Sequence, residues 1–227
     1  MRESIYTIPV TAVFKEKDGC PLCRMHDEVE EHIISYIMGD AMMEPDIRVE
    51  TNRLGFCDDH YGKMFDHKGR LQLAVMLETH IKSIANDVLR EGMSPETRHE
   101  ALKTVNSTCF VCEKIEWGEK RMYDTLFHCY EKEPDFRRMF NSQPYYCLKH
   151  YERLMEGIAN RKCRKYGSEM AQNLNRITKA YADSLSEKIT KYCSFYDYHH
   201  AGNNDFGDSR YAVHEIIKFL TMGQKGG

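Results

Sequence analysis

The chain says one thing twice, and that repeat limits what it can fold into more than any other feature. Cys20-Pro21-Leu22-Cys23 recurs as Cys109-Phe110-Val111-Cys112, 89 positions further on. Glu44-Pro45-Asp46-Ile47-Arg48 recurs as Glu133-Pro134-Asp135-Phe136-Arg137 at the same offset, and Phe56-Cys57-Asp58-Asp59-His60-Tyr61 recurs as Tyr146-Cys147-Leu148-Lys149-His150-Tyr151, 90 positions on. Each copy therefore reads C-x2-C, a spacer of 33 or 34 residues, then C-x2-H.

Cysteine and histidine in this pattern point to metal. C-x2-C turns both sulfurs toward one point. In C-x2-H the two side chains leave one face of a helix, a turn apart. A Cys3His set fills the four tetrahedral positions that zinc prefers and leaves none for substrate. The spacing assigns Cys57 and His60 to Cys20 and Cys23, and Cys147 and His150 to Cys109 and Cys112. Two zinc ions per chain are expected, ahead of an iron–sulfur cluster, in which histidine ligands are the minority. A dithiol redox pair at Cys20 and Cys23 is disfavoured, because no βαβ pattern surrounds it.

Hydrophobic periodicity predicts helices over 24–38, from about Asp58, over 73–88, from Pro95, over 113–130, from Leu148 and over 168–192. The expected inward stripes are Leu73, Leu77, Ile81, Ile84 and Val88 in the third helix, and Met170, Leu174, Ile177, Tyr181, Leu185, Ile189 and Tyr192 in the longest. A last helix is expected after Asp208 or Ser209, with Val213, Ile216, Ile217 and Leu220 inward and Gly223 closing it. The Glu-Pro-Asp segments read as turns or short helices between longer ones. Only the stretch 5–14 suggests strand. The fold class is all-α: two zinc-bound helical repeats with a long C-terminal helix packed across them. The expected organisation is 1–92 with the first zinc site, 93–166 with the second, and 167–227 as long helix, polar loop and terminal helix, all in one integrated domain.

The rest of the sequence bounds function by exclusion. With 227 residues, 41% hydrophobic and 30% charged, the chain has enough apolar content for a core and no run long enough to span a membrane. A formal charge of −3 argues against nucleic acid as its main partner, leaving an unidentified protein or small molecule. The charged N-terminal segment lacks the apolar stretch of a secretory signal, so a cytoplasmic location is expected. No phosphate loop, dinucleotide fingerprint or nucleophile elbow is present. The motifs point to a non-enzymatic binding or adaptor module. A metal- or thiol-redox-responsive regulator is one competing reading. An enzyme with its site near Cys193, His199 and His200 is another.

Outside the motifs, Cys129 and Cys193 read as small buried residues. Cys163 lies among Arg161, Lys162, Arg164 and Lys165, whose charge would lower its pKa. Arg48 and Arg137 are candidates to offset the negative charge of each Cys3His site. The chain resembles an uncharacterised family of bacterial proteins, mostly from clostridial and actinobacterial lineages, sharing a CPxC motif, a later GFCxxH motif and a tail with Asp-Tyr-Arg/His followed by Gly-Asp-Ser. The matching residues are 20–23, 55–60, 196–199 and 207–209. His199 and His200 stand where Arg commonly follows Asp-Tyr. The resemblance implies one integrated bacterial protein and supplies no activity.

Overall fold

The computed structural model describes residues 8–195 and 206–222. Every regular element among them is helical, as the periodicity predicts. The first copy runs through α1 (Ile8–Lys15), α2 (Pro21–Met38), α3 (Pro45–Leu54), α4 (Asp58–Asp66) and α5 (Arg70–Ser83). The second runs through α6 (Pro95–Ser107), α7 (Phe110–Lys132), α8 (Pro134–Asn141), α9 (Leu148–Ala159) and α10 (Gly167–Ser194), and α11 (Ala212–Thr221) follows. The repeat is therefore five helices long, not three landmarks.

Local chemistry explains most boundaries. Pro21, Pro45, Pro95 and Pro134 each open a helix, where a missing N–H costs nothing. Ser94 caps α6 by accepting a hydrogen bond from the Thr97 backbone N–H at 3.3 Å. Of the stretch read as a possible strand, the part from Ile8 onward is helical, with Val10, Val13 and Phe14 buried at a spacing that a helix puts on one face, and residues 5–7 lie outside the described ones. Two inward stripes also differ from expectation. In α5 the buried residues are Leu73, Met76 and His80, while Leu77 and Ile81 are exposed. His80 can be buried because its Nδ1–H donates to the Asn52 carbonyl at 3.0 Å. In α11 it is Ala212 and Phe219 that are buried, and Val213, Ile217 and Leu220 face outward. The α10 stripe holds at Met170, Leu174, Ile177 and Leu185. The closing glycine expected at 223 lies outside the described residues.

The chain divides into two units, and these are not the two copies. One comprises 1–25 and 121–227, the other 26–120. Each unit holds the first helix of one copy, α1 or α6, and the last three of the other, and the boundaries between the units fall within α2 and α7. In the first unit α1 packs on α8, and α10 packs on α8, α9 and α11. Their shared core runs from Val10, Phe14, Leu22 and Met25 to Phe127, Tyr130, Phe136, Phe140, Met170 and Leu174, so residues of both copies share one core with the long helix. In the second unit α6 packs on α3, and α3 on α5. That core gathers Ile34, Ile37, Leu54, Met64, Met76, Phe110, Val111 and Ile115.

Helix lengths bear on the exchange. At 1.5 Å per residue, the 18 residues of α2 span about 27 Å and the 10 residues of α3 only about 15 Å. In the second copy α7 spans about 35 Å and α8 about 12 Å. A shorter second helix cannot retrace a longer first one, and neither C-x2-H clusters with the C-x2-C that precedes it in its own copy.

One close approach in the first unit is set by a glycine. A Cβ on Gly157 of α9 would fall within the ring of Phe127, itself 2% exposed in the core. Gly157→Ala is expected to destabilise the chain by about 1–3 kcal/mol, because the ring has nowhere to move. Denaturant titration checks this. Phe127→Leu in the same chain should recover part of the loss, and an unchanged midpoint in the single variant would show that the contact yields freely.

Candidate metal centres

All eight sequence-predicted ligands fall into two clusters, but the halves are exchanged. Cys20 and Cys23 meet Cys147 and His150; Cys57 and His60 meet Cys109 and Cys112. The expectation that each copy closes its own site is thus corrected, for the reason the helix lengths give. The ligand atoms of each cluster all lie within 4.8 Å of one another.

Each cluster is built where two helices begin. Cys57 and Cys147 occupy the cap positions of α4 and α9 in extended backbone, and their carbonyls accept from Tyr61 and Tyr151 N–H at 2.9 and 2.8 Å. Neither thiol caps its helix; both turn to the cluster instead. Cys20 and Cys109 immediately precede α2 and α7, and their carbonyls accept from Arg24 and Glu113 N–H. Two helix N-termini therefore face each set of thiolates, and their partial positive charge stabilises anions. Arg48 and Arg137 direct their hydrogen bonds elsewhere. Arg48 donates to the carbonyls of Met42 and Val75 and to the Thr79 hydroxyl. Arg137 donates to the carbonyls of Tyr130 and Glu131 and lies over the Tyr166 ring. Both pin chain around the Glu-Pro-Asp helices.

The spacing fits a single tetrahedral ion. Bonds of about 2.3 Å to sulfur and 2.0 Å to nitrogen give edges of about 3.8 Å between sulfurs and 3.5 Å between sulfur and nitrogen. In the first cluster Cys23 and Cys147 sulfurs are 3.6 Å apart, and His150 Nδ1 is 3.6, 3.5 and 3.1 Å from Cys20, Cys23 and Cys147. In the second, Cys57 and Cys112 sulfurs are 3.9 Å apart, and His60 Nδ1 is 3.0, 3.3 and 3.5 Å from Cys57, Cys109 and Cys112. All nine cysteines are free thiols. Thiols this crowded oppose one another's ionisation. The hydrogen bond with Cys147 drives the Cys23 thiol upward, and burial, reinforced by the charge of Cys109, does the same to Cys112. Burial is the largest influence on Cys109 and raises it, but the hydrogen bond and charge of His60 and backbone hydrogen bonds at Cys112 and Cys57 together outweigh burial and bring that thiol down to about 6. A dication at the centre favours every thiolate at once.

The clusters differ in what supports the histidine. His60 Nε2 meets Glu30 Oε1 at 3.0 Å, and Lys63 holds the same carboxylate at 2.8 and 2.9 Å. The hydrogen bond with His60, aided by Lys63, outweighs burial and holds Glu30 down at about 2. This is a carboxylate–histidine pair of the kind that orients an imidazole toward a metal. Sequence reasoning missed Glu30, although a signal existed. Its counterpart 89 positions on is Glu119, 1% exposed and 2.7 Å from His26 Nδ1. In the first cluster His150 Nε2 is buried with no hydrogen-bond partner among the described residues.

They also differ in access. In the first, Cys20, Cys147 and His150 are buried and Cys23 is half-buried. In the second, Cys109 and His60 are buried, Cys57 is half-buried and Cys112 is exposed. The loops of the second cluster are tied by Phe110 N–H donating to the Gly55 carbonyl at 2.9 Å and the Thr108 hydroxyl to the Leu54 carbonyl at 2.8 Å. Gly55 has φ 60°, and a Cβ there would press on His80 at 3.0 Å. In the first copy Pro21 stands where Phe110 does in the second, and it has no N–H to give. Beside Cys57 lies an open groove of about 620 Å³, walled by Leu77, Ile81, Ile84 and Val105 with His80 at its edge.

The remaining candidates separate cleanly. Cys129 is buried as expected. Cys163 is buried too, and burial pushes its thiol up, against the lowering its cationic neighbours suggested. Cys193 is exposed rather than buried. His199 and His200 lie outside the described residues. No described helix is long and apolar enough to cross a membrane.

Neither the comparison with curated proteins nor that with solved structures finds a match. A family model described as a family of unknown function, DUF6062, matches residues 1–226, so the chain belongs to that family.

Proposed function

We propose that this protein is a non-enzymatic binding or adaptor module whose two helical units are each held by a structural zinc ion. The observation that carries the reading is that both clusters offer three thiols and one imidazole with the spacing of the corners of a single tetrahedron. A thiolate-rich set with one histidine suits zinc, and four protein ligands leave no open position for substrate chemistry. A cluster of several irons would hold the sulfurs further apart than these contacts allow. Nine free thiols fit a reducing compartment, in keeping with the cytoplasm. The groove beside Cys57 is the concave surface on which the second unit would receive a protein segment or small molecule. A charge of −3 speaks against nucleic acid there.

Elemental analysis of protein purified without added metal tests the core of this reading. About two zinc ions per chain are expected from two closed sites. Iron with visible absorption, or a chain free of metal, would overturn it.

A further inference from the structure

We infer that the cluster of Cys57, His60, Cys109 and Cys112 is an oxidant-addressable site, at which a hydroperoxide joins Cys112 to Cys57 and so expels the ion. The inference rests on the reading of both clusters as metal sites and adds a difference between them. Two observations carry it. Cys112 is the exposed thiol of the eight-residue ligand set, whereas the first cluster has no exposed member. Its neighbour Cys57 is half-buried and lines the open groove, so the second cluster is reached from that side as well. Reaction with peroxide follows thiolate character and access. Metal coordination supplies the first in both clusters, so access decides between them.

The chemistry balances within the site. The Cys112 sulfur attacks one peroxide oxygen; an S–O bond forms, the O–O bond breaks, and hydroxide leaves. The Cys57 thiolate then attacks the Cys112 sulfur; the S–S bond forms, the S–O bond breaks, and a second hydroxide leaves. Two thiolates lose two electrons and one hydrogen peroxide gains them. The sulfurs, 3.9 Å apart, close to about 2.05 Å in the disulfide. The ion loses two of its three anionic ligands and departs, and a dithiol reductant reverses the bond. Cys109 and His60 stay buried behind the pair and are not needed for the step.

The test uses the full metal-loaded chain carrying Cys193→Ser, which removes the other exposed thiol. Hydrogen peroxide is added, release is followed with a chromophoric metal indicator, and cysteines are mapped by differential alkylation and mass spectrometry. The first equivalent of metal should leave at least about ten-fold faster than the second, together with a Cys57–Cys112 disulfide, because only one cluster is open to attack. Cys112→His, which keeps four ligands without that thiol, should slow the first release to near the second. Release of both ions at one rate, or oxidation beginning at Cys23 and Cys147, would overturn the inference while leaving the metal sites standing. A chain that carries no metal before peroxide is added would instead remove the reading beneath it. Should the histidine variant fold poorly, the alkylation map of the Cys193→Ser chain decides alone.

Discussion

A chain carrying Cys20→Ser and Cys147→Ser together is expected to keep one metal ion, and a chain carrying Cys20→Ser and Cys57→Ser to keep none. The first pair damages a single cluster twice; the second damages both clusters once. A site closed within each repeat copy predicts the reverse. Metal content of the purified variants, read against the single substitutions, separates the two arrangements by a whole ion per chain. Stability should follow the same logic. Once one ligand has been lost and the ion with it, a second loss in the same cluster costs little more, so the Cys20 and Cys147 effects should fall well short of additive. Cys20 and Cys57 effects should add. One ion retained by the Cys20/Cys57 variant would restore the pairing that spacing alone suggests.

The eight residues of the two clusters were legible in the sequence because their spacing is chemical: two residues between donors is what a turn or the first coil of a helix needs. Their pairing was not, because it depends on distance in space. The same helices that periodicity predicts are what separate the partners. An 18-residue helix followed by a 10-residue one does not bring Cys57 back to Cys20, and adding those lengths was possible from the sequence. Glu30 was hidden differently, since one acid among many on a polar helix face carries no mark. Only its recurrence as Glu119 sets it apart. The α5 stripe misled because two adjacent apolar faces compete there. The winner includes His80, whose burial depends on the Asn52 carbonyl, a partner that periodicity does not record. The α1 helix was obscured by β-branched residues, whose strand preference is weaker than the packing of Val10, Val13 and Phe14.

Removing both ions with a chelator at neutral pH is expected to abolish the cooperative melt of at least the 26–120 unit and lower the transition of the whole chain by tens of degrees. Structural zinc contributes an apparent binding free energy of about 10–16 kcal/mol. That is as large as the whole stability of an ordinary domain, about 5–15 kcal/mol. The 26–120 unit has the smaller core and the more open cluster, so it should lose hydrogen-exchange protection first. Acid should act in the same direction, because protons compete with the ion for sulfur and nitrogen. Glu30 is not what fails first. Its folded pKa lies below the ordinary carboxylate value of 4.5, so its contribution is present above that value and is lost only as pH falls through about 2. Metal release between pH 7 and about pH 5 therefore reports protonation at the metal ligands and not loss of the Glu30–His60 pair. Metal content and far-UV circular dichroism followed together make the test. Helicity and a cooperative melt that survive complete metal removal would show that the helices hold their places by packing alone.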